Sequence, residues 1–145
     1  MVCTFFGHKD AHELKKEYLL NAIEDLVKKG VDTFYVGHQG NFDSMVYSCL
    51  VQLKKMHPYL SCSVVLAYLP THTREYDSYY GCSVFPEGLE TVHPKFAIEK
   101  RNKWLLDHAD YCLCYVNNTW GGAYKFARQA KRRGLVTINL GSAEL

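Results

Sequence analysis

The stretch Asp32-Thr33-Phe34-Tyr35-Val36-Gly37-His38-Gln39-Gly40-Asn41-Phe42-Asp43 decides the fold class. Its first half is a short run rich in β-branched and aromatic residues, as a strand requires. Its second half is a glycine-bearing loop, and a helical pattern then runs from about Asp43 to Met56 and stops before His57-Pro58. A strand that passes through such a loop into a helix is the building unit of an α/β sheet.

The same succession recurs on either side. Strand-like runs lie at Val2 to Gly7, Cys62 to Leu69, Tyr111 to Val116 and Leu135 to Leu140, which with Asp32 to Gly37 makes five. Most are continuous rather than alternating, as expected of strands covered on both faces. Helical spacing runs from Asp10 through Leu14, Tyr18, Leu19, Ala22, Ile23, Leu26 and Val27 to a terminating Gly30, with Asp10-Ala11-His12-Glu13 as a capping box. Two more helices are predicted, from about Lys95 to Asp107 and from Gly122 to Arg133, the latter with Ala123, Phe126, Ala127 and Ala130 inward. The expected architecture is a single Rossmann-like domain over 1–145, a three-layer sandwich around a mainly parallel five-stranded sheet in the order 3-2-1-4-5. Residues 70–93 fit no element; Tyr76, Tyr79, Tyr80 and Phe85 among them suggest a docked, Tyr-rich flap.

Composition fits an ordinary globular domain, with 145 residues, 48% hydrophobic and 22% charged. The formal charge of +2 gives no reason to expect a nucleic-acid partner. Lys125, Arg128, Lys131, Arg132 and Arg133 read as a solvated helix face whose last turn suits its dipole. No apolar run approaches the roughly 20 residues of a membrane span, and Met1 to Gly7 does not read as a secretory signal, so a cytoplasmic protein without a membrane partner is expected. Cys3, Cys62, Cys112 and Cys114 fall in strand-like runs, where free thiols behave as small hydrophobes in a reducing compartment. The cysteines form no CxxC pair and the histidines no HExxH, so no metal site and no cofactor are expected.

Ligands of open α/β sheets bind outside the carboxyl ends of the strands. Three loops there have suitable composition: Gly7-His8-Lys9-Asp10, Gly37 to Asp43, and Asn117-Asn118-Thr119-Trp120-Gly121-Gly122. Glycine admits close backbone approach, and a following helix N-terminus offers N–H groups to an anion. From these loops Gly7, His8, Gly37, Gly40, Asp43, Asn117, Thr119, Trp120, Gly121 and Gly122 are candidate ligand-binding residues. Asp43 reads as a helix cap, a ribose acceptor or both, and Trp120 as a base-stacking surface or a plug on the sheet end. Arg101 joins the candidates because it lies three residues after Ile98 and four before Leu105, on an apolar face. An inward guanidinium needs an anionic partner, either a ligand phosphate or a protein carboxylate such as Asp110.

The order GHKD, GHQGNFD, AIEKRN, AD-YCLCYV and WGGAYKFA resembles the SLOG superfamily of Rossmann-like proteins, with small bacterial YpsA-like proteins the nearest likeness. The resemblance spans nearly the whole chain. It implies a nucleotide or nucleotide-derived ligand, and a homodimer or higher homo-oligomer. Gly37, Gly40 and Asp43 match the glycine loop of the family, and Arg101 matches the arginine of its Lonely Guy phosphoribohydrolases. Gly121-Gly122 resembles the start of their PGGxGTxxE signature, but Ala123-Tyr124-Lys125-Phe126-Ala127 follows, without its second glycine or its glutamate. The leading expectation is therefore a nucleotide-binding or sensing domain rather than an enzyme, its catalytic residues left unassigned. The alternative is an N-glycosidic hydrolase using Asp43, Glu87, Glu90 or Glu99 as a substitute acid. A second alternative is a protein-interaction module with a vestigial pocket.

Overall fold

The computed structural model describes residues 1–68 and 83–145. The chain runs β1 (Val2–Gly7), α1 (Lys16–Lys28), β2 (Thr33–Val36), α2 (Asn41–Met56), β3 (Ser61–Val65), β4 (Ser83–Val84), a short 3-10 turn (Leu89–Thr91), α3 (Pro94–Asp107), β5 (Tyr111–Tyr115), α4 (Gly122–Arg132) and β6 (Val136–Asn139).

All neighbouring strands pair in parallel. The sheet has six strands in the order β4-β3-β2-β1-β5-β6, not five in the order 3-2-1-4-5. The difference arises from Ser83–Val84, which lies within the stretch expected to be flap and instead adds an edge strand outside β3. Beyond it Leu89 is buried against Ala67 and Ala97, so part of that stretch belongs to the core. The rest of the expected flap, with Tyr76, Tyr79 and Tyr80, lies outside the described residues.

β1 lies inside the sheet, and Cys3, Thr4, Phe5 and Phe6 are all buried, which explains its unalternating sequence. Thr4 satisfies its buried hydroxyl by donating to the carbonyl of Tyr35 at 3.1 Å. On one face α1 packs Leu19, Ile23, Leu26 and Val27, and α2 packs Phe42, Val46, Cys49, Leu50 and Leu53, into a core with Phe5 and Phe34. On the other, Leu105 and Leu106 of α3 and Phe126, Ala127 and Ala130 of α4 pack on Phe6, Cys112 and Cys114. The three-layer architecture follows directly.

The first helix begins at Lys16 rather than Asp10. Residues 11–14 form a turn closed by the Leu14 N–H on the Ala11 carbonyl, and the Ala11 N–H donates to Asn41 Oδ1. Ala11 and Leu14 are both buried, so this segment anchors the β1 loop against the start of α2. Its apolar spacing mimics a helical turn because one turn of any kind buries residues three apart.

The chain moves outward from β1 through β2, β3 and β4, then returns to pair β5 with the opposite side of β1. Strand order reverses between β1 and β5. That is where an open α/β sheet leaves a crevice above its carboxyl ends.

Candidate functional site

A cleft of about 280 Å³ opens at this edge of the sheet. Its floor is Phe5, Phe6 and Gly7 of β1, followed by His8 and Lys9. Gly37, Gln39, Gly40 and Asp43 close one side; Ile98, Arg101, Asn102 and Leu105 of α3 and Gly122 and Ala123 of α4 close the other. The first two glycine loops, Arg101 and the beginning of α4 are thus brought to one cavity.

Arg101 is the buried charge of the site, only 2% exposed, because it shares the inward face of α3 with Leu105. Its Nη1 donates to the carbonyl of Val65 at 2.8 Å and its Nε to Asn102 Oδ1 at 2.8 Å. Among the described residues Nη2 makes no hydrogen bond. Burial draws the guanidinium below its ordinary value while the Asp43 carboxylate opposes that shift; an arginine nevertheless stays charged in a protein. Asp110 is not its partner, because that carboxylate accepts the Val2 N–H at 2.9 Å.

Asp43 sits in the first turn of α2 and accepts the N–H of Gln39 at 2.9 Å. Burial pushes its carboxyl above the usual carboxylate range, against the lowering pull of Arg101, the Gln39 N–H and His38. A carboxylate and a guanidinium therefore flank one small space, and the residue between them is Gly37. A Cβ there would lie 2.9 Å from both Arg101 Nη1 and Asp43 Oδ2.

The glycines divide by what surrounds them. A Cβ on Gly7 would meet the Phe42 ring at 2.2 Å, and one on Gly40 would meet the backbone of Lys9 at 2.7 Å. With Gly37, these positions are held small by the protein's own close approach. Gly121 and Gly122 differ, since nothing lies within 4 Å of an added Cβ at either. Gly121 also has φ +89°, a left-handed conformation that disfavours other residues, and it is the residue that precedes α4 as its N-cap. Of the two only Gly122 lines the cleft, so the open backbone of the site is the start of α4 at Gly122.

The remaining candidates fall at the margins. His8 lines the cleft, and its Nε2 accepts the N–H of Asn117 at 2.8 Å, joining the loops after β1 and β5. The Asn117 side chain is engaged elsewhere, accepting from Ser142 N and Oγ at 3.0 and 3.3 Å. Thr119 is exposed, and neither it nor Asn117 lines the cleft. Trp120 is 70% exposed, so it does not plug the sheet end. Glu87, Glu90 and Glu99 do not line the cleft; Glu99 pairs with Lys125 at 3.0 Å and Glu90 accepts the N–H of Gly88. Lys9, Gln39 and Asn102 line the cleft without having been singled out. Lys9 lies in the loop that Gly7 opens, Gln39 stands between Gly37 and Gly40, and Asn102 is the neighbour of Arg101.

Among the described residues no cysteine lines the cleft. Burial pushes Cys3 well above the ordinary range and Cys49 to about 11, and a hydrogen bond with Cys114 together with burial raises Cys112, so they behave as apolar core groups. Among the described residues no group of three or more His, Cys, Asp or Glu is placed to hold a metal ion. No helix among them is long and apolar enough to cross a membrane. Three of the five basic residues near the end of the chain are engaged with the protein's own groups: Lys125 with Glu99, Lys131 with the carbonyl of Leu145, and Arg133 with Asp107. No protein-family model matches the sequence, and no curated protein matches it.

Proposed function

We propose that this chain is a SLOG-type domain that binds a nucleotide or nucleotide-derived ligand at the carboxyl ends of its strands, as a binding or sensing unit. The observation that carries the reading is Arg101, almost fully buried yet lining an open cleft with Nη2 unpaired among the described residues. Burying a guanidinium without full pairing costs several kcal/mol, a cost that an anionic ligand offsets. The uncovered Gly121-Gly122 turn supplies N–H groups and the positive end of a helix for a phosphate, and Asp43 supplies an acceptor for sugar hydroxyls. The test is thermal stabilisation by a panel of nucleoside 5′-mono- and diphosphates and ribose 5-phosphate. A ligand at a hundredfold excess over its dissociation constant is expected to add about 2.7 kcal/mol. Arg101→Lys, which keeps the charge but not the fork, should lose most of the shift. If no nucleotide or sugar phosphate moves the wild-type transition, the reading is wrong.

One observation favours a second reading. Of the four carboxylates considered as substitutes for the hydrolase glutamate, Asp43 alone lines the cleft, and it does so beside Arg101. A carboxyl held above its usual range is suited to handling a proton at a glycosidic bond. Release of free base from a nucleoside monophosphate, abolished by Asp43→Asn, would establish turnover; intact nucleotide after prolonged incubation with wild-type protein would exclude it.

A further inference from the structure

We propose that Lys9 holds a second phosphate, separate from the one at Arg101, so that the preferred ligand is a nucleoside diphosphate rather than a monophosphate. The inference rests on the nucleotide reading above and adds the charge and shape of the ligand to it.

Lys9 is fixed at its base. Its carbonyl accepts the N–H of Asn41 at 2.9 Å, and its Cβ and Cγ would lie 3.1 Å from a Cβ on Gly40. Gly40 has φ 172°, an extended backbone open to any residue, so glycine is needed there for space alone. The stem of Lys9 thus lies against the start of α2. The side chain lines the cleft and carries an ion pair with no described residue. Pinning the stem lowers the rotamer entropy lost when the ammonium captures an anion.

The two cations reach the one cleft from different elements. Arg101 projects from α3, beside the beginning of α4, and both helices cover the same face. Lys9 lies over Gly40, where α2 begins on the other face. Arg101 is anchored to the end of β3 through Val65, whereas Lys9 follows the end of β1, with β2 between them. Backbone anchors two strand spacings apart, roughly 10 Å, suit two phosphates better than the oxygens of one. Charge agrees with this. Each helix N-terminus contributes roughly half a positive charge, so with Arg101 and Lys9 against Asp43 the cleft carries about two positive charges. A bound diphosphate would run over the strand ends from the Gly121-Gly122 turn to Lys9.

The experiment measures dissociation constants by calorimetry for matched 5′-mono- and diphosphates of the same nucleoside, with inorganic phosphate and pyrophosphate as probes free of any base. Wild type is expected to prefer the diphosphate and pyrophosphate by about tenfold or more, the scale of one charge-assisted contact. Lys9→Met should bring that preference below about threefold while leaving monophosphate affinity nearly unchanged, and Lys9→Arg should keep it. The preference should also shrink as salt rises, because Lys9 is exposed. Lys9→Ala, read by the same titration with its melting curve, guards against a folding artefact of the methionine variant. Equal affinity of wild type for mono- and diphosphate would overturn the inference and leave the nucleotide reading standing. So would an equal loss for both in Lys9→Met, which would place Lys9 at the first phosphate. Absence of binding by every nucleotide would defeat the nucleotide reading itself.

Discussion

Gly7→Ala tests whether a glycine at the mouth of the site is reserved for a ligand or for the protein. The added methyl would overlap the Phe42 ring, 2.2 Å from Cγ and Cδ1 and 2.8 Å from Cβ. Phe42 has little room to retreat, being 1% exposed and stacked on Tyr115 with ring centroids 6.3 Å apart. Overpacking of a dense core costs about 1–3 kcal/mol, and overlap with a ring on its rigid side argues for about 3. Phe42→Ala alone should cost about 3–5 kcal/mol through lost burial and a cavity. In that background the alanine methyl at position 7 enters the vacated space, so adding Gly7→Ala should cost less than about 1 kcal/mol. The coupling, about 2 kcal/mol, falls within the range for residues in direct contact. Equilibrium urea unfolding of the four proteins, followed by circular dichroism, measures it, with unchanged slopes as the check that only stability moved. Gly122→Ala is the contrasting arm. It meets open space at the first residue of α4, so it should be neutral or stabilising by up to about 1 kcal/mol, yet weaken nucleotide binding. A Gly7→Ala protein as stable as wild type, or a penalty undiminished in the Phe42→Ala background, would refute the assignment of the space beside Gly7 to Phe42.

Three further outcomes are expected. Burial raises the folded-state pKa of Asp43, so the stability this group contributes is present below its unfolded value of about 3.9 and lost as pH rises through the raised one. Asp43→Asn, which keeps an acceptor for the Gln39 N–H, should therefore melt higher than wild type at pH 7 and match it near pH 3; equal melting at both would contradict the shift. Asn139 joins the C-terminal segment to β5 through Oδ1, which accepts from Val116 N and Gly141 N, and Nδ2, which donates to Val116 O and Ala143 O. Asn139→Ala should cost about 2–4 kcal/mol in urea unfolding and expose the Ala143 amide to hydrogen exchange, and slow exchange there would count against this role. Removing both charges in Arg101→Met/Asp43→Asn should leave the unliganded protein at least as stable as wild type while abolishing nucleotide binding; a loss above about 3 kcal/mol, the scale of a broken buried pair, would make the pair structural instead.

The secondary structure was legible where burial alone set the pattern of an element, continuous in a strand covered on both faces and periodic in a helix covered on one. Val2–Gly7 has the bounds its continuous apolar run announces, and α3 and α4 begin and end within a residue or so of their predicted positions. The errors have physical sources. Ala11 and Leu14 obey helical spacing because they plug one non-helical turn into the core, which a period cannot distinguish from a helix. Ser83–Val84 is a two-residue strand, too short to show any period, and it exists because the edge of β3 accepts it.

The site was legible to the extent that cost is legible. An arginine between Ile98 and Leu105 advertises itself because a charge on an apolar face is expensive, and it is indeed buried against the cleft. Glycine advertises only that space is needed and is silent about what fills it. Phe42 fills it at Gly7, Lys9 at Gly40 and the Arg101–Asp43 pair at Gly37; each neighbour is settled by tertiary packing. That ambiguity resolves into a constraint on the ligand. Because the protein itself occupies the space beside three of the five glycines, a phosphate bound as proposed would have its closest backbone approach at Gly122. The remaining polar contacts must then come from side chains, from Arg101, Asp43, Asn102 and Lys9. Side chains discriminate by charge and reach, whereas a glycine loop discriminates mainly by backbone N–H geometry. A cleft built in this way should distinguish ligands by how many phosphates they carry more sharply than by which base they carry.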